Sequence, residues 1–173
     1  MVRRAARCYS MIDRKPYTRK EYIKGGPESK IRIFDAGSPG KEFGITIGLF
    51  AEKDRQVAHN ALEAARVTVN RYISEKIDKE KYHFKICVYP HHIIRENKIL
   101  SGAGADRVSD GMRLAFGRPM GRAARVYTGQ RILYVRVDKE SFALAKEAVR
   151  RARYKFPMTC TLKIEKGEEL TRK

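Results

Sequence analysis

The sequence lacks long apolar runs. Its longest stretches without a charged residue, 43–51 and 86–94, have nine residues each, whereas a membrane-spanning helix needs about 20. The arginine-rich start at 1–7 is followed by no apolar segment of signal-peptide length. We therefore expect a protein that stays in the cytoplasm, where it is made, and that does not enter a membrane.

Cysteine is also scarce. Cys8, Cys87 and Cys160 lie far apart and form no C-x-x-C pair, which argues against both a zinc site and a disulfide framework. Cys87 and Cys160 fall within strand-like runs. We interpret them as small, reduced strand residues, as expected in the cytosol.

The sequence has no evident catalytic, cofactor or metal centre. The glycines at 102–106 are not followed by a helix, and no phosphate-binding loop motif is present, so we predict no bound cofactor. Asp106 and Asp110 form a possible acid–base pair, but salt bridges to neighbouring arginines explain them as well. Because no nucleophile is placed beside a base, we predict a protein that is not an enzyme.

Histidine does not suggest a metal site. His91 and His92 are adjacent in a predicted strand, so their side chains point to opposite faces of the sheet. His59 and His83 belong to the predicted helix and strand. No third ligand has suitable spacing, and we interpret the histidines as core or RNA-facing residues, with no metal bound.

Acidic residues are few relative to basic ones. The chain has 38 Lys plus Arg against 20 Asp plus Glu, a net charge of +18. The excess is +7 over 1–32, +2 over 41–85, +6 over 95–136 and +5 over 146–163. A protein bound to an anionic membrane surface would concentrate its charge on one amphipathic helix. Basic segments that flank a near-neutral scaffold indicate a protein laid against nucleic acid along several surfaces.

The apolar pattern predicts an α+β fold, with two helices packed on a mostly antiparallel or mixed sheet. Asp54 and Asp138 are placed to cap the helices, and the last two strands before the second helix have the spacing of a hairpin around 128–130. Strands are predicted at 31–34, 44–51, 81–89, 91–100, 122–127, 131–137 and 158–165, and helices at 55–77 and 139–154.

We expect the chain to form a single domain over 1–173. Its predicted parts are a basic extended arm at 1–29, an α+β core at 30–166, a glycine- and arginine-rich loop at 101–121 and a polar tail at 167–173. Tyr9, Tyr17 and Tyr22 lie among the basic residues of the arm, where their rings could stack on bases. This favours an arm that RNA orders over a disordered tail.

The loop at 101–121 is the most unusual segment. It contains five glycines, and from 101 to 131 the chain has six arginines and no lysine. Arginine binds phosphate through a planar fork and stacks on bases, whereas lysine offers a point charge. The pattern predicts a loop threaded into folded RNA.

The candidate RNA-binding residues come from the arm, the loop and the end of the second helix. At the helix end, basic residues also complement the helix dipole, so a purely local explanation competes with RNA contact. The candidates are Arg3, Arg4, Arg7, Tyr9, Arg14, Lys15, Tyr17, Arg19, Lys20, Lys24, Arg107, Arg113, Arg118, Arg122, Arg125, Arg150, Arg151, Arg153 and Lys155.

Several short motifs identify a family. RRAARCY at 3–9, KPY at 15–17, KIRIFD at 30–35, SGAGADR at 101–107, GMR at 111–113 and AFGRP at 115–119 occur in order along nearly the whole chain. The sequence closely resembles the large-subunit ribosomal proteins called ten-e in archaea and eukaryotes, whose bacterial counterpart is protein sixteen. Gly102 stands where eukaryotic members usually have cysteine, and the chain ends without the longer eukaryotic extension. Both differences favour the archaeal branch.

The resemblance implies a scaffold of the large subunit. It implies binding to large-subunit ribosomal RNA beside the central protuberance, close to the small ribosomal RNA, to neighbouring ribosomal proteins and to subunit assembly factors. It also implies that the glycine-rich loop approaches A-site, and possibly P-site, transfer RNA. That loop comprises Ser101, Gly102, Ala103, Gly104, Ala105, Asp106 and Arg107.

Two other hypotheses remain open at this point. One is a free-standing RNA-binding or RNA-chaperone protein, which would bind many RNAs weakly and exchange freely. The other is an RNA-modifying enzyme that uses Asp106 or Asp110, which would show turnover and require a small-molecule donor.

Overall fold

The computed structural model describes residues 12, 20–97 and 111–169. Within them it contains two α-helices and eight β-strands, which confirms the predicted α+β fold. Most of the predicted arm, and the loop residues 98–110, lie outside the described residues. The elements are β1 (Asp35–Gly37), β2 (Ile45–Ala51), β3 (Arg55–Ala58), α1 (His59–Ser74), β4 (Tyr82–Ile86), β5 (His92–Glu96), β6 (Arg118–Val126), β7 (Arg131–Val137), α2 (Phe142–Arg153) and β8 (Cys160–Lys166).

The described strands form two antiparallel sheets. The first has five strands in the order β1-β4-β7-β2-β8, and the second has three in the order β3-β6-β5. Helices α1 and α2 pack against each other, and α2 also packs on β2 and β7. Along the described strands the chain passes between the sheets four times, so neither sheet is built from one continuous stretch of sequence.

The core lies on one face of the first sheet, where the apolar alternation of three strands is in register. Val135 of β7 lies opposite Ile47 of β2 on one side and Phe84 of β4 on the other. All three side chains are fully buried. The apolar stripe of α1 joins the same cluster through Leu62, Ala65, Val69 and Ile73, and that of α2 through Ala145, Ala148, Val149 and Ala152.

The first helix starts later than predicted. Residues Arg55–Ala58 form β3, which pairs with β6, and α1 begins at His59 and ends at Ser74. Asp54 therefore does not cap the helix. Its carboxylate instead accepts hydrogen bonds from the backbone N–H and the hydroxyl of Thr128, at 2.5 and 2.7 Å. These bonds lower the pKa of Asp54.

The predicted hairpin around 128–130 is wrong. The turn exists, since the Gln130 N–H donates to the Tyr127 carbonyl at 3.0 Å and Gly129 supplies a φ of +79°. However, β6 pairs with β3 and β5, whereas β7 pairs with β2 and β4. The turn therefore carries the chain from one sheet to the other. The Gly129 N–H also donates to the carbonyl of Ala51 at 2.8 Å, which fixes the turn to the end of β2.

Three further boundaries differ from the predictions. The first strand is Asp35–Gly37 rather than 31–34, because regular pairing with β4 begins only at Asp35. Strand β6 begins at Arg118, so 118–121 belong to the sheet and not to the loop. A one-turn 3-10 helix, Lys139–Ser141, precedes α2, and the Asp138 side chain makes no capping hydrogen bond.

Both cysteines in the described residues carry free thiols. Cys160 is buried in β8, and its burial raises the pKa of the thiol to about 11. Cys87 is half-buried just after β4, and burial raises its pKa as well. Low thiolate content makes both poor nucleophiles.

Neither helix in the described part of the chain combines the length and the apolar character required to cross a membrane.

Burial of His83 predicts a pH-dependent stability. Its side chain is 4% exposed, and Nε2 lies 3.2 Å from Oδ1 of Asp35, while the positive charges of Arg136 and Lys85 act on the ring. Burial lowers the pKa of His83, against the opposing effect of Asp35. Below about pH 6.5 the unfolded chain therefore binds the proton more readily than the folded one. The contribution of neutral His83 to the free energy of unfolding is therefore fully present above this pH. It decreases as the pH falls, by at most about 1.4 kcal/mol per pH unit for one proton.

Denaturant unfolding of the purified chain between pH 7.5 and 5.5 measures this effect. In a His83→Gln variant the decline in unfolding free energy with falling pH should become shallower, because the titrating group is gone. A His91→Gln variant, which changes an exposed histidine, should decline as the wild type does. Equal slopes for His83→Gln and the wild type would contradict the assignment.

Candidate nucleic-acid interface

Strand β6 carries three of the predicted RNA-binding arginines. Arg118 is exposed, and Arg122 and Arg125 are half-buried. The strand lies in the middle of the three-stranded sheet, so its backbone pairs with β3 on one side and β5 on the other. A partner must therefore contact β6 through side chains, which suits arginine because its long side chain reaches out of a sheet.

Arg122 has a protein contact that the sequence did not indicate. Its Nε–H donates to the carbonyl of Pro27 at 2.8 Å. This bond ties the segment that precedes β1 to the second sheet, across 95 positions of sequence. Arg122 is therefore partly a structural residue, and its contact with RNA stays a prediction.

Arg125 has a different environment. Its Nε is buried and has no hydrogen-bond partner among the described residues. Its guanidinium carbon lies 6.0 Å from the ring centroid of Tyr127, whose side chain is 50% exposed. A buried guanidinium donor without a partner is unfavourable in the free protein.

A second cluster lies where β5 meets the start of β6. The guanidinium carbon of Arg95 lies 4.1 Å from the ring centroid of Phe116, a close cation–π contact. The ring of Tyr22 is 6.5 Å from the same ring. The three residues are far apart in sequence, and neither Arg95 nor Phe116 was among the predicted site residues.

Exposed apolar side chains continue from this cluster. Met112, Leu114 and Phe116 are 72%, 68% and 55% exposed, and Arg113 between them is also exposed. Apolar side chains alternating with arginine suit contact with sugars and unstacked bases, beside phosphate neutralisation. The corresponding signal in the sequence is the M-x-L-x-F alternation at 112–116.

The basic end of α2 is partly explained by local contacts. Glu147 lies 3.9 Å from Arg150 and 3.2 Å from Arg151, at helical spacings of three and four residues. The guanidinium carbon of Arg151 also lies 4.1 Å from the ring centroid of Tyr72 on α1. These contacts favour the local explanation for Arg150 and Arg151 that the sequence left open.

The two basic regions belong to different layers. Arg153 and Lys155 are exposed at the end of α2, which packs on α1 and the five-stranded sheet. Arg118, Arg122 and Arg125 belong to the three-stranded sheet. The predicted residues therefore come from two different parts of the fold.

Most of the remaining candidates lie outside the described residues. Lys24 is exposed, and Lys20 lies in a one-turn 3-10 helix, Lys20–Tyr22, with its side chain not described. The residues outside the described ranges are Arg3, Arg4, Arg7, Tyr9, Arg14, Lys15, Tyr17, Arg19, Ser101, Gly102, Ala103, Gly104, Ala105, Asp106 and Arg107.

The histidines have individual surroundings. Nδ1 of buried His59 accepts a hydrogen bond from the backbone N–H of Lys30 at 3.0 Å. The ring of His91 stacks on Tyr89, with centroids 5.9 Å apart and planes inclined by 27°. Among the described residues, no three His, Cys, Asp or Glu side chains are placed to hold a metal ion.

Comparison with known proteins decides the family. The sequence profile of ribosomal protein L16p/L10e matches residues 12–163. The chain belongs to this family of ribosomal proteins. It is 47% identical over 170 residues to the large ribosomal subunit protein uL16 of Methanococcus maripaludis, with 98% of each chain covered. It is 48% identical over 170 residues to the uL16 protein of Archaeoglobus fulgidus, with 98% of this chain and 97% of the relative covered.

Membership in the L16p/L10e family confirms the resemblance drawn from the short motifs, including its archaeal branch. A third archaeal relative, the uL16 protein of Hyperthermus butylicus, is 47% identical over 169 residues, with 95% of this chain and 94% of the relative covered. The chain is thus a structural protein of the large ribosomal subunit and not an enzyme. This removes the RNA-modifying alternative.

Proposed function

We propose that the protein binds large-subunit ribosomal RNA, beside the central protuberance and near the small ribosomal RNA, through the second sheet and the segment that leads into it. The observation that carries this proposal is the grouping of cations with exposed rings and apolar side chains at 111–118. There Arg113 and Arg118 are exposed, and Phe116 lies against Arg95. Cations next to stacking surfaces match the two ways in which proteins hold folded RNA.

The surrounding charge supports the same surface. Residues 95–136 carry nine basic and three acidic side chains. Each phosphate neutralised releases counterions, so binding through many such contacts weakens steeply as salt rises. A rigid sheet presents these side chains at fixed positions, which suits a scaffold that holds RNA helices in one arrangement.

We further propose that the glycine-rich loop supports A-site, and possibly P-site, transfer RNA. This loop belongs to the segment 98–110, and the residues on either side of that segment are close together, because Nδ2 of Asn97 donates to the carbonyl of Gly111 at 3.2 Å. The thirteen residues between them can extend by at most about 20 Å from this point, at roughly 3.3 Å per residue each way. Neighbouring ribosomal proteins and assembly factors would contact other faces.

Large subunits reconstituted with one of two double variants, or with a control double variant, test both proposals. Arg113→Ala with Arg118→Ala should make the protein leave the subunit at lower salt, because two phosphate contacts are lost. Arg107→Ala with Arg113→Ala should leave subunit formation intact and weaken A-site transfer RNA binding. Gradient sedimentation from moderate to high salt measures retention, and filter binding of transfer RNA measures the second effect.

The matched control is Arg71→Ala with Lys79→Ala. It removes the same charge from the near-neutral part of the chain, where Arg71 already pairs with Glu75 at 3.0 Å. This control should behave as the wild type in both measurements. Equal loss for control and test variants would mean that only net charge matters. A protein that runs free of subunits at low salt would favour a free-standing RNA chaperone.

A further inference from the structure

A pocket of about 310 Å³ lies at the junction of the two sheets. Its floor includes Val88, just after β4, and Ala123 of β6, both buried. Its other lining residues are Cys87, Tyr89, His91, His92, Arg125, Tyr127 and Gln130. The volume is at the lower end of the roughly 300–1,000 Å³ of small-ligand pockets, so it can hold one nucleotide but not a double helix.

The polar lining favours an anion. Arg125, His91 and His92 contribute basic groups, and none of the residues that line the pocket is acidic. The buried Nε–H of Arg125 has no hydrogen-bond partner within the described part of the chain. Arg125 lines the pocket, and the terminal N–H groups of its guanidinium are suited to binding phosphate oxygens.

The rim of the pocket is aromatic. Tyr127 is 50% and Tyr89 is 44% exposed. The ring of Tyr89 lies against that of Phe34, with centroids 4.6 Å apart, and stacks with that of His91, with centroids 5.9 Å apart. Gln130 accepts a hydrogen bond from the backbone N–H of Tyr127 at 3.0 Å, which fixes that residue at the turn. A half-exposed ring that is held in place, as that of Tyr127 is, is a platform on which a base can stack at little cost in entropy.

We infer that this pocket receives one unpaired nucleotide of single-stranded RNA, with its phosphate on Arg125 and its base against the ring of Tyr127. The inference rests on the proposed RNA-binding function and assigns a nucleotide site within it. The pocket lies beside the arginines of β6, so an RNA strand bound along that surface can turn one nucleotide inward. Stacking accepts any base, and the site therefore recognises an unpaired nucleotide rather than a sequence.

Titration of the purified full chain tests the site with two probes, a single-stranded hexaribonucleotide of mixed sequence and an RNA hairpin without unpaired bases in its stem. The dissociation constant of each labelled RNA is measured by fluorescence anisotropy. The chain has no tryptophan and nine tyrosines, so quenching of tyrosine fluorescence also reports stacking. Tyr127→Leu should weaken hexamer binding by about 5- to 100-fold, the range for loss of one base–aromatic stack. Tyr127→Phe, which keeps the ring, should restore it.

Arg125→Gln should weaken hexamer binding as well, while hairpin binding by both variants stays near that of the wild type. Tyr154→Leu, at a tyrosine that is 73% exposed elsewhere on the surface, is the control and should bind both probes normally. Unchanged hexamer affinity for Tyr127→Leu, with hairpin binding intact, would overturn the pocket and leave the proposed function standing. Failure of the wild type to bind either RNA would overturn both. Binding of free nucleoside monophosphates as tightly as the hexamer would overturn the assignment to RNA.

Discussion

Replacement of Phe84 by alanine is expected to lower the free energy of unfolding by about 3–5 kcal/mol, the usual range for removal of a buried phenylalanine ring. Phe84 is fully buried, and it lies opposite Val135 in the central rows of the first sheet. The void would open between the sheet and the helices, where close-packed neighbours relax only in part. Equilibrium unfolding in denaturant, with the slope m compared between variants, measures the loss.

Phe116→Ala is the matched control, since it removes the same ring from a position that is 55% exposed. It should change the unfolding free energy much less than Phe84→Ala does, and it should weaken RNA binding because Arg95 loses its aromatic partner. If both variants were destabilised equally, the core would not lie where the structure places it. If Phe116→Ala bound RNA normally, the cluster at 111–118 would not be part of the interface.

Gly117→Ala is expected to destabilise the second sheet by about 1–3 kcal/mol, the range for overpacking. A Cβ at this position would lie 2.7 Å from the carbonyl carbon of Glu96 and 2.9 Å from the backbone nitrogen of Asn97. These are backbone atoms at the end of β5, so the contact can be relieved only by moving a strand. The displacement would separate Asn97 from Gly111, whose hydrogen bond joins the two ends of the glycine-rich loop.

Gly121→Ala, four residues further along the chain and within β6, provides the comparison. There the added Cβ would meet Nε2 of His59 at 3.4 Å, an ordinary van der Waals contact. The melting temperature of Gly121→Ala should stay close to that of the wild type, whereas the melting temperature of Gly117→Ala should fall. Proteolysis of the 98–110 segment should be faster in Gly117→Ala alone. Similar melting curves for the two variants would mean that close packing at Gly117 is unimportant.

Local pattern was enough to predict strands β2, β4, β7 and β8 of the first sheet, but it placed β1 at 31–34 instead of Asp35–Gly37. Each of β2, β4 and β7, and each helix, buries one face. The spacing of apolar residues along the sequence is therefore sufficient to identify these elements. The ends of elements were predicted less well. Arg55–Ala58 continues the helical pattern, yet it forms a strand because β6 offers backbone partners that lie more than 60 positions away in sequence.

The same contrast applies to the candidate interface. Composition and the choice of arginine over lysine identified Arg113, Arg118, Arg122 and Arg125 as candidates, because cation type reflects the chemistry of the partner. The pairing of Arg95 with Phe116 and the bond from Arg122 to Pro27 could not be predicted. Each contact joins residues that are distant in sequence, and no local spacing pattern connects them.

Periodicity, charge and short motifs are properties of local chain chemistry, and they were sufficient to predict a strongly basic α+β ribosomal protein. Which strands share a sheet depends on contacts between distant parts of the chain. Strands β6 and β7 have hairpin spacing, but each gains two partners by joining a different sheet. That choice places the arginines of β6 beside the segment after β4. The pocket at this junction therefore exists only in the folded chain, because its walls come from strands that the sequence keeps apart.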